Sequence, residues 1–293
     1  MPENLRVTTA TDGVVILRWW ENIDPEYSSY KIYKSINDSS RLTFYREVRT
    51  NFFRDEGLFY DSTYWYAVTA VGRNGMESKT SRVVSAKPGN NFDPVLPSYI
   101  VIKPVNFEGR LMVTFEWSKD DNPDLKGLEV YRSVIQGFSP LPADLVTVLD
   151  TITDTDSLAL SPEVNYYYRF RISDKGGRFS EFSDERRVFL YPSIVKSFPV
   201  NDAALPLFDV FMFQALPHDL EYSIILYESP LVNEVWRSTR YRSSEAGDLF
   251  IPFMASYIGL NKKYYWRVAA YQPGESTPVI WSDLSSFQIT RFN

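Results

Sequence analysis

One histidine and no cysteine stand among the 293 residues, so the side chains that most often carry chemistry are nearly absent. Nucleophilic triads, histidine-based zinc sites and thiolate chemistry all lack their parts. His218 lies in Pro217-His218-Asp219 and reads as an exposed loop residue. No P-loop and no Gly-x-Gly-x-x-Gly run is present to cradle a phosphate. What remains is carboxylate chemistry. Asp120-Asp121-Asn122-Pro123-Asp124 and Asp154-Thr155-Asp156 gather acids that could hydrolyse a glycosidic bond as a pair, or hold Ca²⁺ with hard oxygens. Neither run has the ligand spacing of an EF-hand, and both are made of ordinary turn formers. The expectation is a chain that is not an enzyme, with no cofactor and no metal.

The residues that could act by contact are aromatic: 20 Tyr, 20 Phe and 7 Trp, 16% of the chain, against only 13 Gly. Such a composition favours strands. Apolar residues alternate with polar ones at period two, and no 3.6-residue stripe extends over two turns, so the fold class expected is all-β. One pattern recurs at nearly constant spacing. Val15-Ile16-Leu17-Arg18-Trp19 returns as Val113-Thr114-Phe115-Glu116-Trp117 and then as Phe211-Met212-Phe213, with Phe213 in the Trp position. A second strand follows as Tyr30-Lys31-Ile32-Tyr33, Leu128-Glu129-Val130-Tyr131 and Ile224-Ile225-Leu226-Tyr227. A proline repeats in the intervening loop, in Asp24-Pro25-Glu26 and Asn122-Pro123-Asp124. A third element reads Tyr64-Trp65-Tyr66, Tyr166-Tyr167-Tyr168 and Tyr264-Tyr265-Trp266. Leu58 and Leu160 stand six residues before the first tyrosine of their copies, whereas Leu260 stands only four before Tyr264.

Each copy resembles a fibronectin type III module of the kind common in bacterial surface and secreted proteins. The resemblance is carried by the Pro2-x-x-Leu5-x-Val7 start, Trp19, Tyr30-Lys31-Ile32-Tyr33, the Leu-x5-Tyr spacing of a tyrosine corner, and Glu77-Ser78-x-x-Ser81 before the last strand. It covers nearly the whole chain and is weakest in the third copy, which lacks the tryptophan. It implies three tandem seven-stranded β-sandwiches, at residues 1–89, 93–191 and 194–293. In such a sandwich one large aromatic plugs the space between sheets, a role that suits Trp19, Trp117 and Phe213. Tyr64, Tyr166 and Tyr264 are expected at the corner, with buried rings and hydroxyls that satisfy nearby backbone. Short proline-containing links, Lys87-Pro88-Gly89 and Leu190-Tyr191-Pro192, predict a semi-rigid rod.

Alternation on the expected strands C and F throws Tyr33, Tyr131 and Tyr227 outward on one and Trp65, Tyr167 and Tyr265 on the other. Each module is therefore expected to display an aromatic pair able to stack a sugar ring or anchor a protein. The plainer reading is a cross-strand contact shielded by Arg and Lys stems. Arg169 and Arg171 share the phase of Tyr167, and Phe179-Ser180-Glu181-Phe182-Ser183 follows. This resembles the Trp-Ser-x-Trp-Ser box of cytokine receptors and is expected to form a stabilising cation–π ladder.

With 31 basic and 37 acidic residues the net charge is −6, which offers no broad positive field to nucleic acid. No run is long and apolar enough to span a membrane. No export signal is recognisable at Met1, so either a signal has been removed or the protein is made without one, as in a phage virion. The partner expected is a protein or glycan at the cell surface, with the chain extracellular or in the cell envelope and acting in adhesion or assembly. A carbohydrate-binding accessory region and a virion component are the alternatives. Edge strands A and G could pair with other modules.

Overall fold

The computed structural model describes residues 1–21, 27–120, 122–200 and 202–290. Asp24-Pro25-Glu26 and Asp121 lie outside the described residues. Among the described residues the regular structure is β-strand apart from two single-turn 3₁₀ helices.

The first seven strands are β1 (Arg6–Thr11), β2 (Val14–Arg18), β3 (Tyr27–Ile36), β4 (Thr43–Val48), β5 (Phe52–Asp55), β6 (Tyr64–Gly72) and β7 (Val84–Ala86). They form a sheet ordered β1-β2-β5 and another ordered β4-β3-β6-β7. Asp12 and Gly13 join β1 to β2 with φ of 47° and 70°, the paired left-handed conformation that a two-residue hairpin needs. The next seven are β8 (Ile100–Phe107), β9 (Arg110–Trp117), β10 (Leu125–Ser133), β11 (Leu145–Leu149), β12 (Thr153–Asp156), β13 (Asn165–Asp174) and β14 (Arg186–Phe189). Here β8-β9-β12 and β11-β10-β13-β14 repeat both orders, and Glu108-Gly109 repeats the hairpin turn.

The third set has more pieces: β15 (Lys196–Phe198), β16 (Ala203–Leu205), β17 (Val210–Ala215), β18 (Leu220–Ser229), β19 (Val232–Arg237), β20 (Tyr241–Ser243), β21 (Gly247–Pro252), β22 (Lys263–Tyr271), β23 (Ile280–Trp281) and β24 (Ser285–Ile289). One sheet is β15-β17-β21. In the other, β18 pairs β22 on one side and both β19 and β20 on the other. The last strand is likewise divided, because β23 and β24 both pair β22. Serines fill the interruptions: Ser238 Oγ accepts the Ile224 amide and Ser282 Oγ accepts the Val268 amide, so the backbone donors exposed by each break stay satisfied.

By compactness the chain divides into two units. Unit 1 comprises Met1–Pro97, Lys119–Glu129 and Arg171–Ser183, and unit 2 comprises Ser98–Ser118, Val130–Phe170 and Asp184–Asn293. Within unit 2 the edges of two sheets join. Strand β23 pairs β8 in parallel, with Ile280 opposite Asn106 and Trp281 opposite Phe107. Asn106 is buried there and its amide donates to Tyr191 O at 3.0 Å. An edge pairing of strands A and G thus occurs inside this chain.

The three plugs are buried: Trp19 is 2%, Trp117 1% and Phe213 0% exposed. Trp19 meets Tyr30 edge-on at 5.1 Å, and Phe213 meets Tyr222 at 5.3 Å. The corner tyrosines also hold one geometry. The Tyr64, Tyr166 and Tyr264 hydroxyls accept the backbone amides of Phe59, Ser161 and Gly259, each five residues earlier, at 2.8, 2.9 and 2.8 Å. The anomalous position of Leu260 has a simple resolution. Leu260 is exposed, and Ile258, six residues before Tyr264, packs on the core instead.

One spacing argument does not hold. Tyr33, Tyr131 and Tyr227 recur at 98 and 96 residues, yet Tyr33 pairs Ala67 whereas Tyr227 pairs Tyr265. The residue of β3 opposite Trp65, and so equivalent to Tyr227, is Ser35. The third copy's C strand is slipped by two residues along the sequence and not against F: Tyr222 lies opposite Ala270 as Tyr30 lies opposite Ala70. A two-residue slip keeps every side chain on its face, which is why alternation alone does not reveal it.

Candidate functional site

The outer face of sheet β4-β3-β6-β7 carries Tyr33 and Trp65, the sequence-predicted aromatics of unit 1. Lys31, Tyr33 and Ser35 of β3 share one side with Thr69, Ala67 and Trp65 of β6 by register and alternation. Phe44 of β4 lies opposite Tyr33, with ring centroids 6.3 Å apart, and is 55% exposed. Tyr33 and Trp65 are half-buried, and Trp65 faces Ser35 and Ser85 rather than Tyr33. The face therefore presents three staggered rings, not one stacked C–F pair. Phe44 escaped sequence reasoning because Phe44-Tyr45 places adjacent aromatics on opposite sides of an edge strand, and nothing local says which side is open. Trp20 is 60% exposed beside the end of β2.

The corresponding expectation fails in the other copies. Tyr131, Tyr167 and Tyr227 are buried at 3%, 9% and 6% exposure, and Tyr265 is half-buried. Tyr227 and Tyr265 do form the expected cross-strand pair. Their outward phase is real, but long cationic side chains lie over it: Arg267 stands 5.6 Å from the Tyr227 ring and Lys263 5.4 Å from Tyr265.

The ladder expected in the second copy is present. Arg171 lies 3.8 Å from the Phe179 ring and 5.0 Å from Phe182, and bonds Glu129 at 2.8 Å. Ser180 Oγ accepts the Ile172 amide, fixing the segment to β13. A second ladder was missed in Trp281-Ser282-Asp283-Leu284-Ser285, where Arg267 lies 3.9 Å from Trp281. The readable signal was the Trp-Ser-x-Leu-Ser spelling itself. Cation–π contacts of this kind contribute about 0.5–2 kcal/mol each.

On the exposed face Glu77 is the electrostatic centre. It accepts Thr69 Oγ1 at 2.6 Å, the Tyr33 hydroxyl, and Lys31 Nζ at 2.9 Å. These donors hold its carboxyl down at about 2, and the same hydrogen bond raises the Tyr33 phenol. A carboxylate with a depressed folded-state pKa stabilises above its unfolded value and loses that contribution as pH falls through the folded one. Wild type should therefore lose about 1 kcal/mol relative to Glu77→Gln between pH 4.5 and 2, allowing for partial solvent screening. Urea titrations at stepped pH measure this; parallel curves for the two proteins would refute it.

Two buried polar networks recur on the opposite, inner side and were also missed. Asp55 Oδ2 lies 2.6 Å from Lys34 Nζ and accepts the Tyr66 hydroxyl at 2.6 Å. Asp156 Oδ2 lies 2.6 Å from Arg132 Nη1 and accepts Tyr168 at 2.9 Å. Burial first, then the neighbouring carboxylate, raises both phenols. The third copy replaces the network: Leu226 occupies the Lys34 register and Trp266 the Tyr66 position, among Phe211, Trp236 and Phe253. His218 is not an exposed loop residue. It is half-buried, 4.9 Å from Phe189 and 5.3 Å from Tyr191. Among the described residues no three acidic, histidine or cysteine side chains converge to hold a metal, and no helix is long and apolar enough to cross a membrane.

Three strands ordered A-B-E beside four ordered C′-C-F-G, with a tyrosine corner closing each copy, are the fibronectin type III arrangement. The chain has a tandem fibronectin type III-like fold. No protein-family model matches the sequence, and no curated protein matches it. Similar solved structures include the FN1-FN3 domains of chicken CNTN1, 14% identical over 99% of this chain and 98% of that one, with a TM-score of 0.40. A two fibronectin type-III domain segment from chicken tenascin is 18% identical over 64% of this chain and 97% of that one, at a TM-score of 0.32. A myokine structure is 24% identical over 30% of this chain and 95% of that one, at 0.26.

Proposed function

We propose that the chain is a non-catalytic binding protein, built of modules at 1–89, 93–191 and 194–293, that engages a protein partner through the outer C′-C-F-G face of its first module. Its setting in this reading is extracellular or in the cell envelope, and its role is adhesion or assembly. The observation that carries the reading is the asymmetry between copies. Phe44 is 55% exposed beside half-buried Tyr33 and Trp65, whereas Tyr131 and Tyr227 are buried. Partly buried aromatics framed by charged groups are what binding hot spots are made of. Lys31 and Glu77 supply that frame.

The test compares wild type with Phe44→Ala and Trp65→Ala in cross-linking capture from the native source and on a glycan array. Loss of one captured protein in both variants, by about tenfold or more, supports the proposal. Capture unaffected by either substitution removes the face from consideration. A glycan retained by wild type and lost with Trp65→Ala replaces the protein partner with a carbohydrate one.

A further inference from the structure

Unit 1 contains a second concentration of oxygens, unrelated to the sheet face. Four side-chain oxygens from three segments of the unit are buried without a well-formed hydrogen bond: Tyr60 Oη, Asn90 Oδ1, Asp124 Oδ1 and Asp174 Oδ2. Asp124 and Asp174 are 4% and 3% exposed. They converge on one place. The Asn90 amide nitrogen lies 3.4 Å from Asp174 Oδ1, and a methyl group at Gly176 would stand 1.9 Å from that nitrogen and 2.9 Å from the Tyr60 ring. Gly176 is therefore the floor on which Asn90 and Tyr60 are laid beside Asp174. Burial raises the Tyr60 phenol, and a hydrogen bond to the Asp124 carboxylate raises it further, so Tyr60 and Asp124 are neighbours in this cluster.

Among the described residues no cation forms an ion pair with Asp124 or Asp174, although Asp174 Oδ1 accepts the Arg178 amide at 2.7 Å and the Arg178 guanidinium feels its charge. Arg178 donates to the Asn90 carbonyl at 2.9 Å and to Asp93 at 2.8 Å, and Lys175 donates to the Pro123 carbonyl at 2.6 Å. Asp12 is already satisfied by the Asn91 and Phe92 amides at 2.9 and 3.3 Å and by the Thr11 hydroxyl at 3.0 Å. A buried carboxylate oxygen without a partner, Asp174 Oδ2, close to a second carboxylate approached by the Tyr60 hydroxyl, is a costly arrangement, and such charges are ordinarily paired or bound to a metal.

We propose that Asp124 and Asp174, with the Asn90 side-chain carbonyl and the Tyr60 hydroxyl, bind a calcium ion. The donor set is all oxygen, which disfavours zinc and copper. It comes from irregular loop positions around the ends of β7, β10 and β13, the variable geometry that Ca²⁺ accepts and Mg²⁺ resists. Two carboxylates and neutral oxygens give a low ligand charge, which corresponds to the roughly 10⁻⁴–10⁻³ M affinity of extracellular calcium modules. The ion would tie the residue 60, 90, 124 and 174 segments together.

The experiment uses the full chain, with thermal unfolding followed by circular dichroism in EDTA and then in about 10 mM CaCl₂ or MgCl₂. Calcium should raise the Tm by roughly 3 °C or more, magnesium by much less, and Asp174→Asn and Asp124→Asn should each abolish the rise. Calorimetric titration of wild type with CaCl₂ gives a readout independent of whether the variants fold. No heat of binding and no calcium-dependent Tm in wild type overturns the proposal. A Tm rise that persists in both variants does so too, because it locates calcium elsewhere. Asp124→Asn more stable than wild type in EDTA, with no calcium response in wild type, would mean that a proton or water satisfies the site instead.

Discussion

Asp55→Ala is expected to destabilise the protein by about 3–5 kcal/mol, read as a fall in the urea midpoint. The carboxylate is the shared acceptor of Lys34, Tyr66 and Tyr45, the last at 3.0 Å. Side-chain exposures of 11% for Lys34 and 1% for Asp55 mean that water cannot replace what is lost. Removing one partner leaves an ammonium and a phenol buried without their acceptor, and that desolvation penalty dominates the loss. The rings of Tyr45 and Tyr64, 4.4 and 4.8 Å from Lys34 Nζ, soften the penalty without cancelling it. Removing all three polar groups together, as Lys34→Leu with Asp55→Leu and Tyr66→Phe, should cost much less than Asp55→Ala alone. The third copy does without the network, with Leu226 and Trp266 in the corresponding places. A loss below 1 kcal/mol for Asp55→Ala would show that the buried charge is not held as described.

The second large effect concerns the plugs. Trp117→Ala should cost about 3–5 kcal/mol through lost burial and the cavity left between sheets. The comparison between conservative variants is sharper. Trp117 Nε1 donates to the Thr151 carbonyl at 2.7 Å, whereas Trp19 Nε1 is buried with no partner among the described residues. Phenylalanine at 117 therefore loses a hydrogen bond, and at 19 it removes an unsatisfied donor. Trp117→Phe should be the more damaging of the two by about 1–2 kcal/mol, measured by the same denaturation. Equal costs would mean that ring volume alone matters at both positions.

Much of the framework was legible from residue order. Alternation located the paired sheets, and the Tyr64, Tyr166 and Tyr264 spacing located three corners that share one hydrogen bond. Both depend on local rules: a side chain two residues on returns to the same face, and a corner hydroxyl reaches an amide five residues back. The candidate face was only half legible. Tyr33 and Trp65 are half-buried, and the phase that made Tyr131, Tyr167 and Tyr227 outward says nothing of what lies over them. Arg267 covers Tyr227 from a neighbouring strand, and its reach depends on the rotamer of a long side chain.

By itself the sequence determined that the chain is all-β, that one strand pattern is used three times, and which large aromatics fill the interiors. Periodicity and volume act within a few residues and are written in order along the chain. Only the tertiary structure decided the two-residue slip of the third copy, the joining of β8 to β23, and the meeting of Asp124 and Asp174 with Tyr60 and Asn90. Those outcomes bring together residues tens to more than a hundred positions apart, and partner choice at that range is set by the packing of whole strands, not by any local pattern.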